Sequence, residues 1–196
     1  MSAHESMEHA EHAHHASGEN KRIALLIAVI ALCLALSEML GKGAQTESIS
    51  ENVASANLWA FFQAKSIRLT AIKTAAEQLQ IQADAATDPA AKAAMTKRID
   101  AWQKTAARYD DEPDTGEGRK QLAARAKHAE HARDLAMAKY HHFEVASAAF
   151  QIAIVLASAT IITGIVALAW GAGLLMLAGI AFTVIGIVAP HAVHLL

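Results

Sequence analysis

The chain has little that would bend or staple a backbone. Its single cysteine, Cys33, excludes a disulfide framework within the chain. Glycine is absent from Ala44 to Thr115, and the only prolines before the C-terminal end are Pro89 and Pro113. Positive charge is not in excess: the net charge of −2 argues against a nucleic-acid partner, which would require a basic face or stripe. No Lys, Arg, Asp or Glu follows Glu144. There is no H-E-x-x-H motif, no Cys/His cluster and no phosphate loop, and no nucleophile–base–orienter set can be assigned. These absences disfavour an enzyme and leave no catalytic residue to name.

What is present is apolar length. The run from Val145 to Val188 reads VASAAFQIAIVLASATIITGIVALAW, GAG, LLMLAGIAFTVIGIV. A hydrocarbon core about 30 Å thick takes roughly 20 helical residues. The run therefore holds two crossings, 145–170 and 173–190, joined at Trp170–Gly173. Ile23–Leu40 supplies a first crossing, within 21–41, preceded by Lys21-Arg22. Its apolar core is too long for a signal peptide, the leader is long and acidic, and no small-x-small cleavage site follows. Leu32 stands where a lipoprotein cleavage site wants a small residue, so Cys33 reads as a buried structural residue. Glu38 lies one turn from the end of this run. An ionisable group inside a membrane is a functional hypothesis by default. Its shallow position and Lys42 four residues on favour an interfacial salt bridge over a proton or ion site.

Residues 1–20 form a polar tail with five histidines, His4, His9, His12, His14 and His15. It holds too little apolar surface to offset its ordering entropy, so disorder or transient helix is expected. Imidazoles suit zinc or nickel, so this tail is the one place a metal cofactor would bind. The alternative is a soluble leader whose histidines titrate near neutrality. No other cofactor is implied.

Residues 42–144 are polar, rich in alanine and expected to be helical throughout. Leu58, Phe62, Lys65, Leu69, Ile72, Ala76, Leu79 and Ala83 alternate steps of four and three, a heptad seam with Lys65 its only charge. Trp59 and Phe61 flank it, and the NLWAFFQAK stretch reads as either a packing or oligomer contact or an aromatic cluster seated at a membrane interface. Asp88-Pro89 is a helix N-cap followed by proline at the first helical position. The second helix carries Ala91, Met95, Ile99, Trp102, Ala106 and Tyr109 on one stripe. The stretch DDEPDTGEG is a loop. A third helix should start near Arg119, present Leu122, Ala126, Ala129, Ala136, Tyr140 and Phe143, and run unbroken into the apolar segment. The arms on either side of the loop match as an antiparallel hairpin.

An alanine-rich seam buries little area, which favours self-association into a homo-oligomer. Ala149, Ala153 and Ala157, then Thr160 and Gly164, form small-residue rows, and Gly179 and Gly186 share one side of the third crossing. Such rows serve contact between chains or packing within one bundle. His128 and His131, and the pair His141-His142, read as exposed or interface histidines rather than a zinc site, which would need further ligands. His191 and His194 close the chain. Lys21-Arg22 favours a cytoplasmic N-terminus, whereas Lys127, Arg133 and Lys139 argue the other way.

The leader HAEHAHHAS, the anchor ending SEMLGKGAQ, the segment NLWAFFQAKSIR and the C-terminal apolar hairpin together resemble a bacterial membrane protein family, domain of unknown function 4337. The resemblance implies a fold and a membrane location but no activity. The expectation is an all-α integral membrane protein of the bacterial inner membrane. It has three transmembrane helices, an extramembrane helical coiled-coil hairpin domain, and a scaffold or interaction role with the lipid bilayer and its own copies as partners. A metal-handling protein using the histidine tail is the rival reading.

Overall fold

The computed structural model describes the backbone of residues 3–192 and the side chains of residues 21–192. The chain is all-helical. Four helices follow in order, α1 (Ala3–Ala85), α2 (Pro89–Asp110), α3 (Arg119–Thr163) and α4 (Val166–Val188), with no strand among the described residues. They divide into two units, residues 1–48 with 134–196, and residues 49–133.

The unit of residues 49–133 contains the C-terminal part of α1, all of α2 and the start of α3. Every residue of the heptad seam is buried or half-buried, with Leu69, Ala76 and Ala83 at 4, 8 and 0 % exposure. Ala76, Ala83 and Ile99 form a small core against which Leu79, Met95 and Trp102 pack. The sequence stripe on α2 is thus the face turned to α1. Asp88 caps α2 as its spacing requires: its carboxylate accepts from the amides of Ala90 and Ala91 at 3.0 and 3.3 Å. Pro89 takes the first turn, where its missing N–H costs nothing, and keeps the residue before it extended, which ends the preceding connection sharply.

The other unit pairs the apolar segment of α1 with the end of α3 and with α4. Its core is made of Ile30, Ala146, Phe150, Ala153, Ala157 and Ala172, with Cys33 among the half-buried residues around it. Ala153 and Ala157 of the first small-residue row and Thr160 of the second are therefore occupied within the unit. Gly41 and Gly43 do not interrupt α1, although glycine costs about 1 kcal/mol in a helix interior. At Gly41 the two helices run close, and a Cβ there would meet Cβ of Phe143 at 3.4 Å, an ordinary contact. Ser37 is fully buried one turn earlier and donates to the Phe143 carbonyl at 3.1 Å. Small residues on α1 thus let α3 approach.

Among the described residues, three helices carry windows long and apolar enough to cross a membrane, within Lys21–Ala85, Arg119–Thr163 and Val166–Val188. The joint in the last apolar run is displaced from where its sequence suggested. α3 ends at Thr163 and α4 begins at Val166, so Trp170–Gly173 lies inside α4. Gly164 makes the break at φ 70°, a left-handed conformation that glycine adopts without a Cβ penalty, and its amide bonds the Thr160 carbonyl at 2.9 Å. Thr163 Oγ1 accepts from the amide of Ile165 across the joint. The Gly171 and Gly173 amides stay within the α4 ladder, so glycine there weakens the helix without ending it.

Candidate functional site

The most organised polar cluster lies in the unit of residues 49–133, around the single charge of the seam. Lys65 sits among apolar neighbours because the three-four spacing puts it there, and only 6 % of it is exposed. Its Nζ stands 3.8 Å from Glu112 Oε2 and 3.8 Å from Glu117 Oε2. The same ammonium lies 5.5 Å from the centre of the Phe61 ring and 5.1 Å from that of Tyr109, within cation–π range. The acidic loop between α2 and α3 folds back to supply both carboxylates. Gly116, at φ 69°, allows the turn, and its amide bonds the Glu112 carbonyl at 3.0 Å.

A second layer holds Glu112 and the aspartates beside it. Arg108 donates to Glu112 from Nε and Nη2 at 3.1 and 2.9 Å, and the Glu112 amide donates to Gln121 Oε1 at 3.2 Å. Arg108 in turn keeps the Glu112 carboxyl below its ordinary range, with Lys65 adding to the effect. Asp111 is lowered by the Gln121 amide first and by Lys120 second, while Lys120 is raised by Asp111. Arg119 pairs with Asp110 at 3.3 Å and lies over the Phe62 ring at 5.1 Å. Trp59 meets Phe62 edge-to-face at 5.4 Å and donates its indole N–H to Glu130 at 2.7 Å.

The residues that the sequence marks for interaction therefore gather on one side of α1. Leu69 is buried, Leu58, Trp59, Phe62, Ile72 and Leu79 are half-buried, and Phe61 is exposed at 37 %. The partners of Lys65 were legible only in outline: a lone cation in an apolar seam demands a counter-charge, but the spacing does not say that the distant loop provides it. As chemistry, the cluster neutralises a buried ammonium between two carboxylates and two rings. An amine so enclosed is a brace rather than an exposed nucleophile.

In the other unit, Glu38 lines an open groove of about 810 Å³ with Lys42, Gln45, Tyr140, Glu144 and Gln151. Its carboxylate accepts from the Gln151 amide at 3.5 Å. The expected Glu38–Lys42 pair is not formed, because Glu38 leans across to α3 instead. His142, which the sequence read as an interface residue, is buried at 1 % exposure. Its Nε2 donates to the Pro190 carbonyl at 3.0 Å, and its ring stacks on Phe182. His141 instead faces Glu144 at 3.7 Å, and His128 and His131 are exposed. The side chains of His4, His9, His12, His14 and His15, and that of His194, lie outside the described residues. Among the described residues no group of three His, Cys, Asp or Glu side chains is gathered for a metal.

A family model described as Domain of unknown function (DUF4337) matches residues 19–189. The chain belongs to this family. The match takes in the Lys65 seam, the acidic loop and the Gly164 joint of the DUF4337 chain described above. The five tail histidines precede it. Searches of curated proteins and of solved structures return no match.

Proposed function

We propose that this protein is a multi-pass scaffold of the bacterial inner membrane, acting by self-association rather than by catalysis. The observation that carries the reading is an inverted distribution of side-chain size in the unit formed by residues 1–48 and 134–196. Its interior is mostly small, with Ala146, Ala153, Ala157, Ala172 and Gly179 buried around the few large side chains Ile30, Phe143 and Phe150. Large side chains point outward instead: Leu25 is 66 % exposed, Ile162 85 %, Trp170 75 % and Leu174 68 %. Water would meet far more apolar surface than a soluble monomer presents. Lipid tails accept those side chains at no cost, and small residues inside let the helices approach.

The unit of residues 49–133 fits an extramembrane helical domain in which α2 and the start of α3 form a coiled-coil hairpin against α1. Its polar groups are spent on internal braces around Lys65, which suits a stiff spacer. Lys21-Arg22 before the first crossing favours a cytoplasmic N-terminus, against the pull of Lys127, Arg133 and Lys139 before the second. The test is the native mass of detergent-extracted, metal-stripped protein, measured again after adding zinc or nickel. A defined oligomer that ignores metal supports the scaffold. A monomer that takes up stoichiometric metal overturns it and moves the function to His4–His15.

A further inference from the structure

α1 carries a second stripe, opposite the buried seam, that nothing in the unit covers. Stepping by three or four residues from Ile49 to Ala85 along this face meets no Lys, Arg, Asp or Glu, and every position on it is exposed. Ile49 is 60 % exposed, Val53 53 %, Ile67 70 % and Ile81 71 %. β-branched residues are worse helix formers than alanine, so on a bare helix surface these four would weaken α1 for no return. The charged side chains of this stretch lie off the stripe, Lys65 in the buried seam and the others around the rest of the helix.

We infer that this stripe pairs with the same stripe of a second copy, α1 beside α1, parallel and in register about a two-fold axis. The inference rests on the proposed reading of a self-associating membrane protein, because copies inserted alike in one membrane present α1 in the same direction. In such a pair each residue faces itself. A face built for that arrangement holds only apolar side chains or side chains that complement themselves, and this one does. Ile49, Val53, Ile67 and Ile81 meet their own kind. Gln63 and Gln78 each carry both a donor and an acceptor, so each bonds its copy across the axis. Alanines and Thr74 fill the positions between and permit close approach. A charged residue anywhere on the stripe would face its own charge.

The size also fits. At 1.5 Å per residue the stripe is about 54 Å long and about 10 Å wide. Two copies then bury on the order of 1,000 Å², at the lower bound for a specific interface. A bilayer surface is the poorer occupant. An interfacial helix sets aromatic and leucine side chains on its apolar face, whereas Trp59 and Phe62 are engaged on the opposite side of α1.

The test uses the full chain in native membranes, in a Cys33→Ala background, with single cysteines at Val53, Ile67 and, beside the stripe, Lys73. Mild oxidation should give nearly complete disulfide-linked dimer for Ile67→Cys and Val53→Cys and little for Lys73→Cys. In a second arm, Ile67→Lys, at a position already exposed, should keep its helix content by circular dichroism while its dimer dissociates at least tenfold more readily. Cross-linking at 67 without 53 would mean antiparallel pairing and overturn the register. No cross-link, with maleimide blocked at 67 in lipid but not in detergent, would mean that the bilayer covers the stripe. If the parent protein is oligomeric but Ile67→Lys leaves its mass unchanged, the stripe is wrong and self-association stands on other contacts. A monomeric parent removes both.

Discussion

Phe150 on α3 occupies the space that a side chain at position 179 of α4 would need. A Cβ at Gly179 would lie 2.6 Å from Cε1, 2.8 Å from Cζ and 2.9 Å from Cδ1 of the Phe150 ring. The ring is itself 1 % exposed and closed in by the alanines of the same core, so it has little room to yield. Gly179→Ala is expected to destabilise this unit by about 1–3 kcal/mol, the usual cost of overpacking. Thermal unfolding in detergent checks it, and Phe150→Leu should recover part of the loss in Gly179→Ala. An unchanged midpoint for Gly179→Ala would mean that α3 and α4 are not packed this closely.

The Lys65 brace makes a prediction about order rather than size. Glu112→Gln removes one of two carboxylates from a buried ammonium and leaves Lys65 with Glu117 alone, an uncompensated arrangement that is costlier than having no charge there. Lys65→Met removes the ammonium itself and fills the seam with an apolar chain, while Glu112 keeps Arg108 at 2.9 Å. Lys65→Met should therefore be the milder change, and the double variant should be no worse than Glu112→Gln alone. Chemical denaturation followed by Trp59 and Trp102 fluorescence reads this. Equal, additive losses would show that Lys65 and Glu112 do not act together.

What was legible in the sequence separates along physical lines. The seam from Leu58 to Ala83, the cap at Asp88 and the start of α3 at Arg119 follow from local rules, namely hydrophobic period and capping chemistry, and each lies where those rules put it. The counter-charges of Lys65 come from residues about fifty positions away, and the burial of His142 depends on Phe182 and Pro190. No local rule reaches those distances. The uncharged face from Ile49 to Ala85 was readable in principle, but its alanines and glutamines dilute it beside the stronger seam.

The loop between α2 and α3 should make stability depend on pH at both ends of the scale. Asp111 and Glu112 are held below their ordinary values of 3.8 and 4.5, so their contribution is full above those values and is lost as pH falls through the lowered ones. Lys120 is raised above 10.5, so its contribution is full below that value and is lost as pH rises through the raised one. A plateau between about pH 5 and pH 10 is expected. Asp111→Asn removes a lowered carboxylate and the chief cause of the Lys120 shift, so it should flatten both limbs, whereas Arg108→Gln should flatten only the acid limb. Unfolding midpoints measured across pH decide it. An Asp111→Asn profile parallel to that of the parent would exclude the pairing.

Two glycines in the last apolar run distinguish the observed joint from the one its sequence suggests. Gly164 has φ 70°, where an L side chain costs roughly 1–2 kcal/mol. A Cβ at position 164 meets nothing within 4 Å, so any penalty for Gly164→Ala is conformational rather than steric. Gly173 lies inside α4, also with open space around it, and alanine there should be neutral or stabilising by up to about 1 kcal/mol. In the same detergent, the unfolding midpoint of Gly164→Ala should thus fall while that of Gly173→Ala holds or rises. If Gly173→Ala is the damaging change and Gly164→Ala is tolerated, the chain turns at Trp170–Gly173 and α4 begins later than Val166. The Phe150–Gly179 contact would then be the next to re-examine, because it depends on where α4 starts its pass along α3.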